Sequence, residues 1–369
     1  MEELVPCGVC RNMHPMEELF VFDDQLLCDD CLSDETTICE RCGDRIWADD
    51  DAGDEHIHLC QRCYDRYYTR CSRCGIVISE VDAFYQDDDC DDALCDACNR
   101  RELDSRPIRD YYYKPDPLFY GEGNRYFGVE LEIDEAGESN TAAGKLLAIA
   151  NAQDEHLYCK HDGSLEDGFE LVTHPMTLDY HLNRFPWDQL LSKARSMGYT
   201  SHQARTCGLH VHVNRTAFGE TEETQDECIA RVLYFFEKNW EELLRFSRRT
   251  RSQLERWAMR YGYKDHPKEL LKEVKKGYHG ERYTSVNLCN TNTIEFRIFR
   301  GTLKLNTLLA TLQMIHRICD VALYLSDEEI KAMTWSTFVS GCSEYPELVQ
   351  YLKERRLYVN EPVEMEEEI

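Results

Sequence analysis

The chain has 369 residues, is 42% hydrophobic, and carries a net charge of −28 from 42 Lys and Arg against 70 Asp and Glu. That length suggests about two domains, no apolar run reaches the roughly 18 residues of a membrane span, and so acidic a field disfavours a nucleic-acid backbone as partner. The acidity is uneven, with 12 basic against 30 acidic residues in positions 1–118, so a basic or amine-bearing partner suits the field better. The opening Met1-Glu2-Glu3-Leu4 lacks the basic and apolar regions of a secretory signal. A cytoplasmic location is therefore expected, and oligomeric state is left open.

Residues 1–103 read as a metal array. Twelve of the 19 cysteines form six C-x-x-C pairs: Cys7/Cys10, Cys28/Cys31, Cys39/Cys42, Cys60/Cys63, Cys71/Cys74 and Cys95/Cys98. Taken two pairs at a time they make three Cys₄ sites beginning at Cys7, Cys39 and Cys71, a repeat of constant period. The spacing is that of structural zinc rather than of disulfides, and it predicts about three Zn²⁺ in a zinc-ribbon or knuckle array. Aliphatic residues are few here, so the metal must supply folding free energy, for which about 10–16 kcal/mol per structural site is ample. Gly43 and Gly75 follow the second Cys of two repeats, and Gly8 lies inside the first pair of the other, where a tight knuckle needs close backbone approach. Cys90 is an alternative ligand to Cys95, and the Asp run at 87–92 reads as a solvated loop. Four thiolates leave no open coordination position, so the array reads as an adaptor that docks a protein partner or a substrate.

Residues 104–124, with Pro107, Pro115, Pro117, Gly121, Gly123 and the run Tyr111-Tyr112-Tyr113, read as a linker arm that packs on the next domain. The domain at 125–325 then unfolds in order. A strand is predicted at 125–134, a helix at 139–153, a strand at 156–161, a turn at 162–164 and a strand at 168–173. A helix at 186–197 stops at Gly198. A strand at 208–214 precedes a long helical region at 221–276, in about three pieces, opened by a capping box of Thr224 and Glu227. Strands at 282–289 and 292–300 flank an Asn290-Thr291 turn, and a strong helix covers 302–325. Residues 326–369 read as a helical extension with an acidic tail at 364–369.

Three of these strands alternate apolar and polar residues. Successive side chains of a strand face opposite ways. Glu130, Glu132 and Asp134 thus share a face, as do His210, His212 and Asn214, and Glu295 with Arg297. Glu170 in Phe169-Glu170-Leu171-Val172 adds a fourth strand. Val129/Leu131/Ile133, Leu209/Val211/Val213 and Ile294/Phe296/Ile298 take the other face. The class is α+β: a sheet with helices on its apolar face and charges on the opposite one. Such a charged face can hold Mg²⁺ and a polyphosphate. Unbroken alternation turns Arg300 away from Arg297, into a structural ion pair, and Cys207 reads as core.

These motifs, in this order, resemble the amidoligase branch of the carboxylate–amine/ammonia ligase superfamily, which includes glutamine synthetase. The matching stretches are Phe127–Glu132, Asp162–Leu165 with Gly168–Val172, Gly208–Asn214, and Arg282 through Asn287 to Arg297, within roughly 111–325. The segment Tyr113-Lys114-Pro115 is similar to amidoligases that carry N-terminal zinc knuckles. The resemblance implies a curved, mainly antiparallel sheet whose concave face binds ATP and Mg²⁺. It implies Glu130, Glu132, Glu170, His210 and Glu295 as the metal set, His212 as a further cofactor-binding residue, Arg297 facing phosphate, and Asp162 near the amine site. Arg282 would assist Arg297, and Asn287 would either orient substrate or phosphate or make a buried hydrogen bond.

The activity implied is ATP-dependent amide formation between a carboxylate and an amine through an acyl phosphate, with a protein or peptide among the acceptors to consider. Three other readings remain. His210-x-His212 resembles half a hydrolase zinc site, although Asn214-Arg215 follows where such sites often continue Asp-His. A phosphotransferase could use the same sheet. A zinc adaptor with a decayed ligase domain would need no catalysis, against which the intact acids argue. No P-loop motif occurs.

Overall fold

The computed structural model describes residues 4–85, 92–204, 206–277 and 282–358. Cys90, the acidic loop apart from Asp92, and the tail at 364–369 lie outside the described residues. The chain divides into two units, Met1–Ser105 and Arg106–Ile369.

In the first unit each repeat uses its two C-x-x-C pairs differently. The first pair occupies the turn of a short hairpin: Leu4–Pro6 with Met13–Pro15, Thr36–Ile38 with Arg45–Trp47, and Tyr68–Arg70 with Val77–Ser79. The second pair straddles the start of a short helix, Asp29–Asp34, Gln61–Tyr67 or Asp96–Ser105. The four sulfurs of each tetrad converge to within 4.8 Å of one another. Leu27, Leu59 and Leu94, each directly before the first Cys of the second pair, are buried against their own tetrad. Beyond these leucines only partly buried side chains such as Phe22, Trp47, Ile57 and Ile76 pack on the tetrads, a core too small to hold a fold unaided.

The knuckle turn is closed by an amide four residues after the first Cys. Gly43 bonds the Cys39 carbonyl and Gly75 that of Cys71, each at 2.8 Å, and Arg11 bonds that of Cys7 at 3.1 Å. All three have positive φ, +78°, +79° and +67°. The first repeat therefore puts Arg11, not Gly8, in the left-handed position, where a side chain costs roughly 1–2 kcal/mol. Backbone amides draw the first thiol of each tetrad (Cys7, Cys39, Cys71) down to about 6, against burial. Burial and neighbouring sulfurs hold Cys31, Cys63 and Cys98 up at about 12. Four thiols at contact distance suit a cation that converts all four to thiolates.

The second unit is built on a seven-stranded sheet. Its strands are β1 (Ile108–Arg109), β2 (Phe127–Ile133), β3 (Leu157–Lys160), β4 (Phe169–Thr173), β5 (Gly208–Asn214), β6 (Val286–Asn287) and β7 (Thr293–Arg300). They lie in the order β6-β7-β5-β2-β4-β3-β1. Every pairing is antiparallel except β3 with β1. On one face Phe127, Val129, Leu131, Ile133, Val211 and Phe296 are fully buried. Truncating such a side chain, Leu131→Ala for instance, costs about 2–5 kcal/mol.

The helices are α1 (Asn140–Ala150), α2 (Leu178–Asn183), α3 (Trp187–Ser196), α4 (Glu222–Lys238), α5 (Trp240–Ser247), α6 (Arg251–Trp257), α7 (Pro267–Gly277), α8 (Leu305–Tyr324), α9 (Asp327–Ala332), α10 (Trp335–Ser340) and α11 (Pro346–Glu354). Among the described residues no helix is long and apolar enough to cross a membrane.

Several expectations are corrected. Within the 104–124 segment, read as an irregular linker arm, Ile108–Arg109 is a strand and forms the parallel edge of the sheet. The region after 325 belongs to the same unit: α11 packs on α8, and the Tyr351 hydroxyl donates to the Phe246 carbonyl at 2.9 Å. The 221–276 region holds four helices, and α2 lies where no element was expected. The capping box sits one turn earlier than the predicted one, pairing Thr221 with Thr224, because the helix already starts at Glu222, and Glu227 instead pairs with Lys268 at 2.7 Å. The strand expected at 282–289 shrinks to Val286–Asn287.

Elemental analysis of the purified protein should give about three zinc ions per chain, and stripping them with a strong chelator should abolish the ordered signal of residues 4–105 in amide exchange. Protein without zinc that keeps that protection contradicts the metal array.

Candidate active site

Register decides what meets on the sheet's polar face. Directly opposed residues of antiparallel strands share a face. β2 against β5 sets Glu130 opposite His210, and β2 against β4 sets Glu132 opposite Glu170. β5 against β7 sets His212 opposite Glu295, β6 against β7 sets Asn287 opposite Glu295, and β3 against β4 sets Lys160 opposite Glu170. Six strands thereby lay four carboxylates, two imidazoles, an amide and an ammonium side by side.

The side chains converge. Glu130 lies 3.1 Å from His212 Nε2 and 3.5 Å from His210 Nδ1. His210 Nδ1 is also 3.8 Å from Glu295, and its Nε2 is 3.8 Å from Glu132. Lys160 Nζ is 3.2 Å from Glu170. Asn287 donates to Glu295 at 2.7 Å, and Arg297 forms a short ion pair with the other oxygen of Glu295. Two groups could each hold a cation: Glu130, His212 and Glu295, and Glu130, Glu170 and His210, in each of which the ligand atoms lie within 4.8 Å of one another. Glu130 is common to both. Carboxylate oxygens with one imidazole per group suit Mg²⁺ or Mn²⁺ better than the thiolate sites of the first unit do.

The electrostatics follow from this crowding. Burial raises the Glu130 carboxyl, but His212 and His210 beside it outweigh burial and hold it well below the ordinary value. Glu170 goes the other way, well above it, through burial and the proximity of Glu130, which Lys160 only partly offsets. Glu132 is raised by burial against the pull of His210 and the Gly208 amide. Glu295 is lowered despite burial by His212 and Arg297, and His212 is raised despite burial by Glu130 and Glu295. Buried carboxylates that repel one another are the arrangement a divalent cation relieves.

All ten residues expected at the site, Asp162, Arg282, Asn287 and Arg297 as well as the four glutamates and two histidines, line one cavity of about 250 Å³. Asp162 accepts the Ser164 amide at 2.7 Å. Arg282 donates to the hydroxyls of Tyr111 and Tyr283 at 2.8 and 3.0 Å, which raise its already high pKa. Of the two roles open to Asn287, the structure shows the buried hydrogen bond. Asp134 and Asn214, which share the polar face in sequence, are used otherwise. Asp134 accepts from the amides of Glu135, Glu166 and Asp167 and from Thr206, and Asn214 bonds Asn124, Tyr126 and Thr216. Cys207 is buried, as expected.

Sequence reading missed Lys160, Arg249, Trp257 and Tyr283 of the lining. Lys160 was findable, since it alternates with Tyr158 in a predicted strand. Arg249 and Trp257 lie in the helical region after β5 and carry no local signal. Arg300 was misplaced. The β5–β7 register shifts between Leu209 and Val211, giving β7 one extra residue, and Arg300 comes opposite Gly208 on the polar side. No ion pair of Arg300 is found among the described residues, and its Nε is buried without a hydrogen-bond partner.

Gly208 leaves room for two of the site's side chains. A Cβ there would stand 2.6 Å from His210 Nε2 and 2.7 Å from an Arg249 terminal nitrogen. Its amide also donates to Glu132. Gly208→Ala should displace both side chains and weaken Mn²⁺ binding, read by titration calorimetry, by about tenfold, or about 1.4 kcal/mol. Unchanged affinity in a folded variant would show that the close approach is unimportant.

Among known proteins, the family described as "Putative amidoligase enzyme" matches residues 148–319. The matched range takes in Glu170, His210, His212 and Glu295 and begins after Glu130 and Glu132. No curated protein matches. The similar solved structures include two ligase-type proteins by name. One is a bifunctional glutathione synthetase from Pasteurella multocida, with 16% identity and TM-score 0.39, covering 64% of this chain and 47% of that one. The other is the complex between prokaryotic ubiquitin-like protein Pup and its ligase PafA, with 9% identity and TM-score 0.29, covering 63% of this chain and 58% of that one. The chain thus spans about half the length of these structures.

Proposed function

Starting from that family match, we propose that this protein is an ATP- and Mg²⁺-dependent ligase that joins a carboxylate to an amine through an acyl phosphate. The observation that carries the reading is the pair of cation-binding groups sharing Glu130, with Arg297 and Lys160 on the same cavity wall. A carboxylate does not react with an amine directly, because hydroxide is a poor leaving group. Moving the γ-phosphoryl group of ATP onto the carboxylate makes phosphate the leaving group, and the amine then attacks the acyl carbon.

The residues present fit this chemistry. Glu130, Glu170 and His210, and Glu130, His212 and Glu295, would hold the cations. When bound, the cations would neutralise charge on the phosphates. Arg297 faces the charge that grows on the transferring group, and Glu295, fixed by Asn287, keeps the guanidinium aimed. Lys160 tempers the repulsion between Glu170 and the incoming anion. Asp162, at the cavity edge, would accept the proton that the amine sheds on attack. Arg282, tied to Tyr111 and Tyr283, would close the phosphate side of the cavity.

In this reading the cysteine-tetrad unit docks a protein or peptide that carries one substrate. Its acidity and its exposed Met13, Met16, Val21 and Val81 support a binding role. The reducing cytoplasm is the compartment that keeps such thiols available for zinc.

A screen for ADP release over acids and amines with Mg²⁺, followed by mass analysis, tests the reading. The product should weigh the sum of the two substrates less one water. Glu130→Gln and Glu295→Gln should lower kcat by at least roughly 10²-fold, the scale of losing preorganised electrostatic stabilisation, with the thermal transition retained. Full turnover in either variant, or a phosphorylated product without an amide, overturns it.

A further inference from the structure

Beside the proposed catalytic cavity lies a second one, of about 400 Å³, whose wall has the opposite charge. Arg245, Arg248, Arg249 and Arg355 line it, together with His202. The single carboxylate in its lining, Glu241, is already held by Arg251 through two contacts of 2.8 and 3.0 Å. In a chain of net charge −28, four arginines around one cavity, none in an ion pair among the described residues, are a local exception.

The arginines are set in place by their own backbone surroundings. Arg355 donates from Nε and a terminal nitrogen to the Arg245 carbonyl at 3.0 and 2.8 Å. Arg248 ends α5 with φ of +62°, turning the chain so that Arg248 and Arg249 both reach the wall. Arg249 is only 9% exposed and donates from Nε to the Phe299 carbonyl at 3.3 Å. Burial lowers its guanidinium to about 10, with Arg297 and Arg300 adding to the shift and Glu132 opposing it. His202 is held neutral, down at about 4, by burial and by Arg248, Arg300 and Arg355. Taking a guanidinium out of water costs several kcal/mol unless an anion meets it; Glu132 meets the buried Arg249 only at a distance, and Glu354, which acts on Arg248, is already paired with Lys304.

Arg249 lines both cavities. One wall of the catalytic cavity therefore continues into the arginine-lined one. Mg²⁺-bound phosphates have partners in the glutamate groups and Arg297, which leaves the arginine cavity for another anion. Its size suits a carboxylate-bearing side chain or chain end.

We propose that the arginine-lined cavity is a second anion subsite and that the acid substrate of this enzyme is a polycarboxylate, one carboxylate reacting over the glutamate face while another is held by Arg245, Arg248, Arg249 and Arg355. The inference rests on the ligase reading of the neighbouring cavity for which carboxylate reacts. An acidic peptide is the simplest substrate of this chemistry.

The test is calorimetric titration of the full-length, zinc-loaded protein with triglutamate, with trialanine, and separately with Mg²⁺ and a non-hydrolysable ATP analogue. Triglutamate should bind and trialanine should not. Arg245→Gln and Arg355→Gln should each weaken triglutamate at least tenfold. Arg245 is the control for folding, because its backbone rather than its side chain holds Arg355; melting curves confirm that each variant is folded. Equal affinity for the two peptides, or triglutamate affinity unchanged in both variants, overturns the subsite. Displacement of triglutamate by the nucleotide analogue would assign the arginines to phosphate and overturn it as well. Failure of the nucleotide to bind while triglutamate still binds in an arginine-dependent way would instead sink the ligase reading and leave the anion subsite standing.

Discussion

The second unit depends on one cross-strand arrangement, Glu130 wedged between His210 and His212 on the neighbouring strand. Neither partner is free to move independently, because the β2–β5 register fixes both. A slip of one residue would send the imidazoles to the apolar face and bring Leu209 and Val211 against the carboxylates. The apolar face prevents that slip, since Val129, Leu131, Val211 and Phe296 must stay buried beneath the helices. The core therefore sets the geometry of the charges. The site in turn costs stability, with four carboxylates in close quarters at least partly out of water, relieved in part by two histidines, a lysine and an arginine.

Departures from regular structure fall where the site needs them. Gly208 lets His210 and Arg249 approach the strand where any side chain would collide. The β5–β7 register shift, two residues further on, keeps Glu295 and Arg297 over the acidic face while swinging Arg300 to the far end of it. A regular β7 would have spent Arg300 on the helical side. Irregularities next to functional residues re-aim side chains without breaking the sheet.

Much of this was legible in the chain because strand alternation is local. Glu130 with Glu132, His210 with His212, and Glu295 with Arg297 each declare a face within a few residues, and the apolar partners declare the other. The cysteine tetrads were legible for a similar reason, as the sulfurs of a C-x-x-C pair are held together by the turn itself. What escaped depends on distant parts of the chain. Arg249 belongs to the site only because the turn after α5 brings it back over β5, and nothing near position 249 signals that. Arg300 was misread because alternation assumes an unbroken strand. Thr221 rather than Thr224 caps the helix, because both carry a hydroxyl and the local sequence does not choose between them. In the first repeat, Arg11 fills a left-handed position for which sequence offered a nearby glycine.

The distribution of charge joins these observations. The protein as a whole carries a field that repels anions, and the polar face of its sheet is lined by glutamates, yet an acid substrate and a triphosphate are what the proposed reaction must gather. Cations on the glutamates would resolve the conflict for the phosphates. They would not resolve it for a substrate carboxylate arriving through an acidic field, which needs fixed positive charge close to, but apart from, the metal groups. Arg249 stands on that boundary, sensing Glu132 on one side and Arg300 on the other. A side chain shared by the glutamate-lined cavity and the arginine-lined one could orient an anion that spans both, and this is the physical reason behind proposing the two as one binding surface.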